Sequence, residues 1–159
     1  AKPPGAFPLL VTHGWPGSVV EFHKVIEPLT NPELYGGTAD QAFHVIAPSL
    51  PGFGFSTPLA GAGWGKLFRG AGAWAELMRR PGCDRYVAHG GDVGSGVAGM
   101  LPMVDPGRVT GVHINGPAPF PFGPAMDAAA LAAESGHEWS QLSLDDQFRF
   151  YETAKAELA

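Results

Sequence analysis

The 159 residues, 45% hydrophobic and 16% charged, suit one globular domain or part of a larger one. A net charge of -5 excludes the basic footprint of nucleic-acid binding, and no run approaches the ~20 apolar residues of a membrane-crossing helix. The single Cys83 excludes an internal disulfide and fits a reducing compartment, so a cytoplasmic location is expected. The chain opens at Ala1-Lys2-Pro3-Pro4 without Met, which leaves room for a preceding targeting or anchor segment.

In chain order, Phe7–Thr12 is nearly all apolar, as a strand covered on both faces should be. It ends in His13-Gly14-Trp15-Pro16-Gly17-Ser18, where Ser18 is placed to cap a helix from Val19 to about Leu29. Phe22, Val25, Ile26 and Leu29 fall on one face of that helix. A loop through Asn31-Pro32 and Gly36-Gly37 leads to a second strand, 43–47, and to Pro48-Ser49-Leu50-Pro51-Gly52-Phe53-Gly54-Phe55-Ser56. A helix is predicted over 64–80, with Leu67, Phe68, Trp74, Leu77 and Met78 as its apolar stripe. Gly70 and Gly72 each weaken it by about 1 kcal/mol relative to Ala. A third strand is predicted at 85–88 and a helix beginning near Val97. Asp105-Pro106-Gly107 is a turn, and Val109–Asn115 is a fourth strand. The β-α-β-α-β-α-β order predicts an α/β fold, a parallel sheet with helical crossovers.

Between the third strand and its helix lies Ala88-His89-Gly90-Gly91-Asp92-Val93-Gly94-Ser95-Gly96. A buried strand, a sharp glycine-rich turn with one reactive side chain at its tip, and then a helix form a nucleophile elbow. Asp92 is at the tip, framed by Gly90, Gly91 and Gly94, because Cβ atoms at the flanks of so tight a turn would clash. A carboxylate there can attack carbon and form an ester. Ser95 lacks the glycine two residues before it and is expected in the first helical turn. His13 is expected to hold its turn through backbone bonds, and His89 and His113 to pack locally. His137, near Glu134 and Glu138, lacks a His-Glu-x-x-His pattern and is expected on a solvated face, so no metal is predicted. A cis bond is one reading for Trp15–Pro16.

After Asn115 the character changes. Pro117, Pro119, Pro121 and Pro124 break regular structure, and an Ala-rich stretch follows. Ser143 with Asp146 three residues on predicts a capped helix from Leu144, with Phe148, Tyr151 and Leu158 on one side. We expect residues 1–116 to be the core and 117–159 the beginning of a helical lid. Phe120 and Phe122 either line a cavity beneath it or form its core.

Four stretches together resemble the epoxide hydrolases of the α/β-hydrolase superfamily, microsomal-type branch. They are His13–Ser18, Pro51-Gly52-Phe53-Gly54-Phe55-Ser56, Gly90–Ser95 and Val109–Asn115. The resemblance implies that Asp92 opens a small apolar epoxide to a hydroxyalkyl ester, which a water activated by a His–acid pair hydrolyses to a vicinal diol. It implies backbone N–H donors from Trp15 and Val93 for the oxyanion, Trp15 as pocket wall, and no cofactor. Two lid tyrosines would hold the epoxide oxygen. The first is expected in a Tyr-x-x-x-Gln context beyond Ala159, a context Tyr151 lacks; the His and its acid partner also belong after the lid. The chain alone is therefore expected not to complete turnover. The family usually has Trp where Val93 stands, which makes the pocket wall smaller here. A haloalkane dehalogenase also attacks from an elbow aspartate, but Val93 removes one halide donor. A non-catalytic binding domain of this fold is the alternative from a different class, and an Asp tip argues against a serine esterase.

Overall fold

The computed structural model describes residues 5–59, 61, 64, 67–115, 136–137, 141–143, 146, 149 and 153. Residues 1–118 form one compact unit and 119–159 a second.

In the first unit the strands are β1 (Phe7–Thr12), β2 (Phe43–Ile46), β3 (Tyr86–Gly91) and β4 (Val109–Asn115), all parallel, in the order β2-β1-β3-β4. β1 is therefore interior and must be apolar on both faces, which Leu9, Leu10 and Val11 satisfy. Side chains alternate across the sheet. On one face Leu9, Val11, Phe43, Val45 and Val87 pack with Phe22, Ile26 and Leu29. The other is covered by α2 (Leu67–Arg79) and α3 (Val93–Val104), whose buried residues include Ala71, Trp74, Met78, Val97, Ala98 and Leu101.

The helix expected over 19–29 is broken. A 3-10 turn covers Val19–Phe22, and α1 runs only from Ile26 to Thr30. Pro28 has no N–H to give to residue 24 and its ring crowds that carbonyl, so one helix cannot run through. Ser18 still caps the first turn, its Oγ accepting from the Val20 N–H at 3.3 Å. The break turns Val25 to the surface, while Phe22, Ile26 and Leu29 stay inward.

The stripe expected on α2 also shifts. Phe68 is exposed, and the buried face is Gly70, Ala71, Trp74, Ala75 and Met78. Small residues let α2 approach α3: a Cβ on Gly70 would stand 3.3 Å from Val97 Cγ2. Gly70 thus costs helix propensity and gains close packing. β3 runs further than 85–88, because Gly90 and Gly91 pair with Ile114 and Asn115, and α3 begins at Val93 rather than near Val97.

At the amino end of β3, Tyr86 is fully buried. Its hydroxyl donates to Asp105 Oδ2 at 2.8 Å, and Arg108 binds both oxygens of the same carboxylate. Arg108 also donates to the Ala75 carbonyl at 2.9 Å, which ties α2 to the turn before β4. Burial, then the bond to Asp105, pushes the Tyr86 phenol well above its ordinary range.

In the second unit, Ser143 Oγ accepts from the Asp146 N–H at 3.2 Å and donates to its carboxylate at 2.6 Å, so the expected cap is present. Phe148, Tyr151, Leu158 and nearly all of the expected lid lie outside the described residues. Among the described residues no helix is long and apolar enough to cross a membrane.

Candidate active site

The site is built at the carboxyl ends of β1 and β3. Asp92 stands between β3 and α3 with φ 51° and ψ -125°. Among the described residues it alone, glycine apart, has positive φ. Such a conformation costs on the order of 1–3 kcal/mol and needs surroundings that enforce it. Those surroundings are backbone. A Cβ on Gly94 would run into the Thr12 carbonyl and lie 2.6 Å from the His13 carbonyl oxygen. One on Gly90 would run into the Gly94 carbonyl and lie 2.7 Å from the Ser95 nitrogen. The elbow therefore needs glycine two residues before and two after its tip. Gly91 departs from expectation: its nearest neighbour would be the Asn115 carbonyl oxygen at 3.7 Å, an ordinary contact, so no clash demands glycine there.

The turn after β1 faces this elbow. The Trp15 backbone N–H donates to Asp92 Oδ1 at 2.9 Å. Bonds from the Trp15 N–H, then from the Val93 N–H, hold the Asp92 carboxyl below the usual carboxylate range. Both residues that the resemblance implies as oxyanion donors thus meet at one carboxylate. Gly14 permits the approach: a Cβ there would lie 2.9 Å from Asp92 Cβ and 3.2 Å from Oδ1.

His13 is fully buried and bonds backbone on both sides. The Leu50 N–H, which can only donate, points at Nε2 at 2.8 Å. Nδ1 therefore carries the proton and donates to the Gly14 carbonyl at 2.7 Å. That carbonyl also accepts from the Gly17 N–H at 2.9 Å. In a trans peptide C=O and N–H point opposite ways. Gripping the Gly14 carbonyl from one side therefore aims the Trp15 N–H at Asp92 on the other. The Trp15–Pro16 bond is cis. The loop that supplies Leu50 is closed by Ser56 Oγ donating to the Ser49 carbonyl at 2.7 Å, and Phe53 meets the His13 ring edge-on.

Ser95 is buried in the first turn of α3, its Oγ donating to the Asp92 carbonyl. His89 and His113 pair across β3 and β4, stacked, with Nδ1 atoms 2.8 Å apart. Burial first, then the neighbouring His113, lowers the His89 pKa. Phe120 and Phe122 lie outside the described residues, as do Glu134 and Glu138 beside His137. Among the described residues no group of three or more His, Cys, Asp or Glu could hold a metal ion. Two participants escaped the sequence reading. Leu50 acts through its backbone, which no motif reveals. Glu21 reaches Gly14, and its only signal was its place three residues after Ser18.

The profile of the alpha/beta hydrolase fold family matches residues 8–154. A Stigmatella aurantiaca protein named "Putative epoxide hydrolase" is 53% identical over 121 residues, 76% of this chain and 27% of that protein. Rabbit (Oryctolagus cuniculus) epoxide hydrolase 1 is 40% identical over 115 residues, 71% of this chain and 25% of that protein. The crystal structure of the silkworm (Bombyx mori) juvenile hormone epoxide hydrolase superposes with a TM-score of 0.62 at 34% identity, over 84% of this chain and 31% of that one. The chain thus spans about a quarter of the length of the curated relatives it matches. With its parallel sheet, its strained elbow and a profile match over most of its length, the chain belongs to the α/β-hydrolase fold family.

Proposed function

We propose that this chain carries the nucleophile half of an epoxide-hydrolysing site. The observation that supports it is a carboxylate at the elbow tip, facing a backbone N–H of the opposite turn at 2.9 Å. The similarity to epoxide hydrolases narrows the electrophile. An Asp92 carboxylate oxygen attacks a ring carbon as that carbon's bond to the ring oxygen breaks. The ring oxygen leaves as an alkoxide on the same molecule and is protonated, giving a β-hydroxyalkyl ester. Water, losing its proton to a base, then attacks the Asp92 carboxyl carbon. The Trp15 and Val93 N–H groups stabilise the tetrahedral oxyanion, which collapses to the diol and free Asp92. The base is the His–acid pair that the resemblance implies; His13, bonded through both nitrogens to backbone, is a structural residue in this reading.

The substrate is a small apolar epoxide. Trp15, two-thirds exposed beside Asp92, supplies one wall of its pocket. Water is the only co-reactant, and no cofactor takes part. The lone Cys83, buried with its thiol pushed up by burial, fits a reducing compartment, and the cytoplasm is the proposed location.

The test exposes the chain to a small aryl epoxide and to the matching bromoalkane, then maps peptides by mass spectrometry. The reading expects one epoxide mass on the peptide holding Asp92, removed by hydroxylamine, and none in Asp92→Asn. An adduct from the bromoalkane alone would favour a dehalogenase, and no Asp92 adduct from either would leave a binding domain.

A further inference from the structure

Gly14 carries a conflict. It must be glycine because its Cα lies against Asp92, where a Cβ would stand 2.9 Å from the Asp92 Cβ. Glycine is also the residue whose backbone turns most freely. The Trp15 N–H, set one peptide beyond this hinge, keeps its aim only if the peptide planes on both sides of Gly14 are held. The plane from Gly14 to Trp15 is held at its carbonyl by His13 Nδ1 and by the Gly17 N–H. The plane from His13 to Gly14 offers its N–H, and that N–H donates to Glu21 Oε2 at 3.4 Å.

We infer that Glu21 is a positioning residue for the Trp15 N–H, its carboxylate seated in the space left by Gly17 and clamping the backbone before Gly14. The inference rests on reading Asp92 as the nucleophile.

Gly17 supplies an independent observation. It has no positive φ, so its backbone does not demand glycine. What a side chain there would meet is the Glu21 carboxylate: a Cβ at 17 would collide with Glu21 Oε1, which would have to swing away, and lie 3.1 Å from the Gly14 carbonyl oxygen. The missing side chain at 17 thus makes room for the Glu21 carboxylate and for the gripped carbonyl. The Ser18-x-x-Glu21 spacing is that of a capping box, in which the acid turns back to the cap residue's own N–H. Here its bond goes four residues further back, to the N–H of Gly14.

The test is nuclear magnetic resonance on the whole 159-residue chain, reading the Trp15 amide proton at neutral pH and the titration midpoint of the Asp92 carboxyl carbon. Glu21→Ala is expected to move the Trp15 amide proton upfield and to raise the Asp92 midpoint by about 0.5 pH unit, as a hydrogen bond to the carboxylate loosens. The sign is diagnostic, because removing a nearby negative charge alone would lower that midpoint. Glu21→Gln keeps an acceptor oxygen and removes only the charge, so the Trp15 amide proton is expected to stay in place and the Asp92 midpoint to stay at or slightly below that of the parent. Gly17→Ala expels the carboxylate and should reproduce Glu21→Ala, and the double variant should do no more than either single one. The inference is overturned if Glu21→Ala leaves the Trp15 amide and the Asp92 midpoint in place, or if the two single effects add. These readings involve no epoxide. A chain that passes them and forms no Asp92 ester keeps its clamp and loses its nucleophile.

Discussion

At the carboxyl end of β1 and β3 glycines bring backbone against backbone while the His13 side chain braces the turn, whereas the amino end of β3 is fixed by a cluster of long polar side chains. The first region packs Gly14, Gly90 and Gly94 against carbonyls and against Asp92, with no room for a single added carbon. The second gathers Tyr86 and Arg108 around the Asp105 carboxylate, and Arg108 ties it to Ala75 of α2. The difference follows from what each end has to do. Holding a charged, strained tip beside amide donors requires backbone at van der Waals distance, which only glycine permits. Fixing a buried strand end requires only that polar groups be paired, which long side chains do well.

The comparison is broken most severely by one carbon at Gly94. Gly94→Ala drives a Cβ into the Thr12 carbonyl, so a loss of about 4 kcal/mol or outright failure to fold is expected, read by urea titration. Arg108→Ala removes a half-buried partner of Asp105 and leaves the Ala75 carbonyl without its donor. It should cost about 2 kcal/mol in the same titration and leave ester formation at Asp92 unchanged. Asp92→Gly sharpens the contrast in the other direction. It relaxes the positive φ and should raise stability by about 1 kcal/mol while abolishing the adduct. Gly91→Ala lies between the two tight glycines and meets only an ordinary contact. It should change stability by about 0.5 kcal/mol or less, which separates a steric need from mere membership of the motif.

The elbow was legible because its glycine frame is short and part of its cause is local: Gly90 is pressed by Gly94 and Ser95, whereas Gly94 is pressed by Thr12 and His13 at the distant end of β1. The role of His13 as a backbone brace was legible, but its tautomer was not, since the Leu50 N–H that sets it comes from 37 residues away. Val25 and Phe68 are as apolar as their buried neighbours, and hydropathy alone could not say that a helix break and a helix rotation put them outside. The end of β3 was hidden by Gly90 and Gly91, poor strand formers that pair nonetheless with Ile114 and Asn115. Pro28 stood in plain view as the reason for the broken helix.

The central claim is that this one carboxylate, among the 15 acidic residues of the chain, is set apart as a nucleophile. The most direct measurement follows esterification by a small aryl epoxide, residue by residue, from pH 3 to 8. Attack needs the ionised form, and the Trp15 and Val93 N–H groups hold Asp92 ionised below the usual carboxylate range. The account predicts labelling concentrated on Asp92, persisting on the acid side after carboxylates with ordinary midpoints have protonated, and lost as pH falls through the depressed midpoint; Glu76, which Arg79 and Arg80 also hold ionised, should stay unlabelled because it lacks the elbow. Labelling spread over exposed carboxylates, with Asp92 reacting like the rest and fading at an ordinary midpoint, would contradict it.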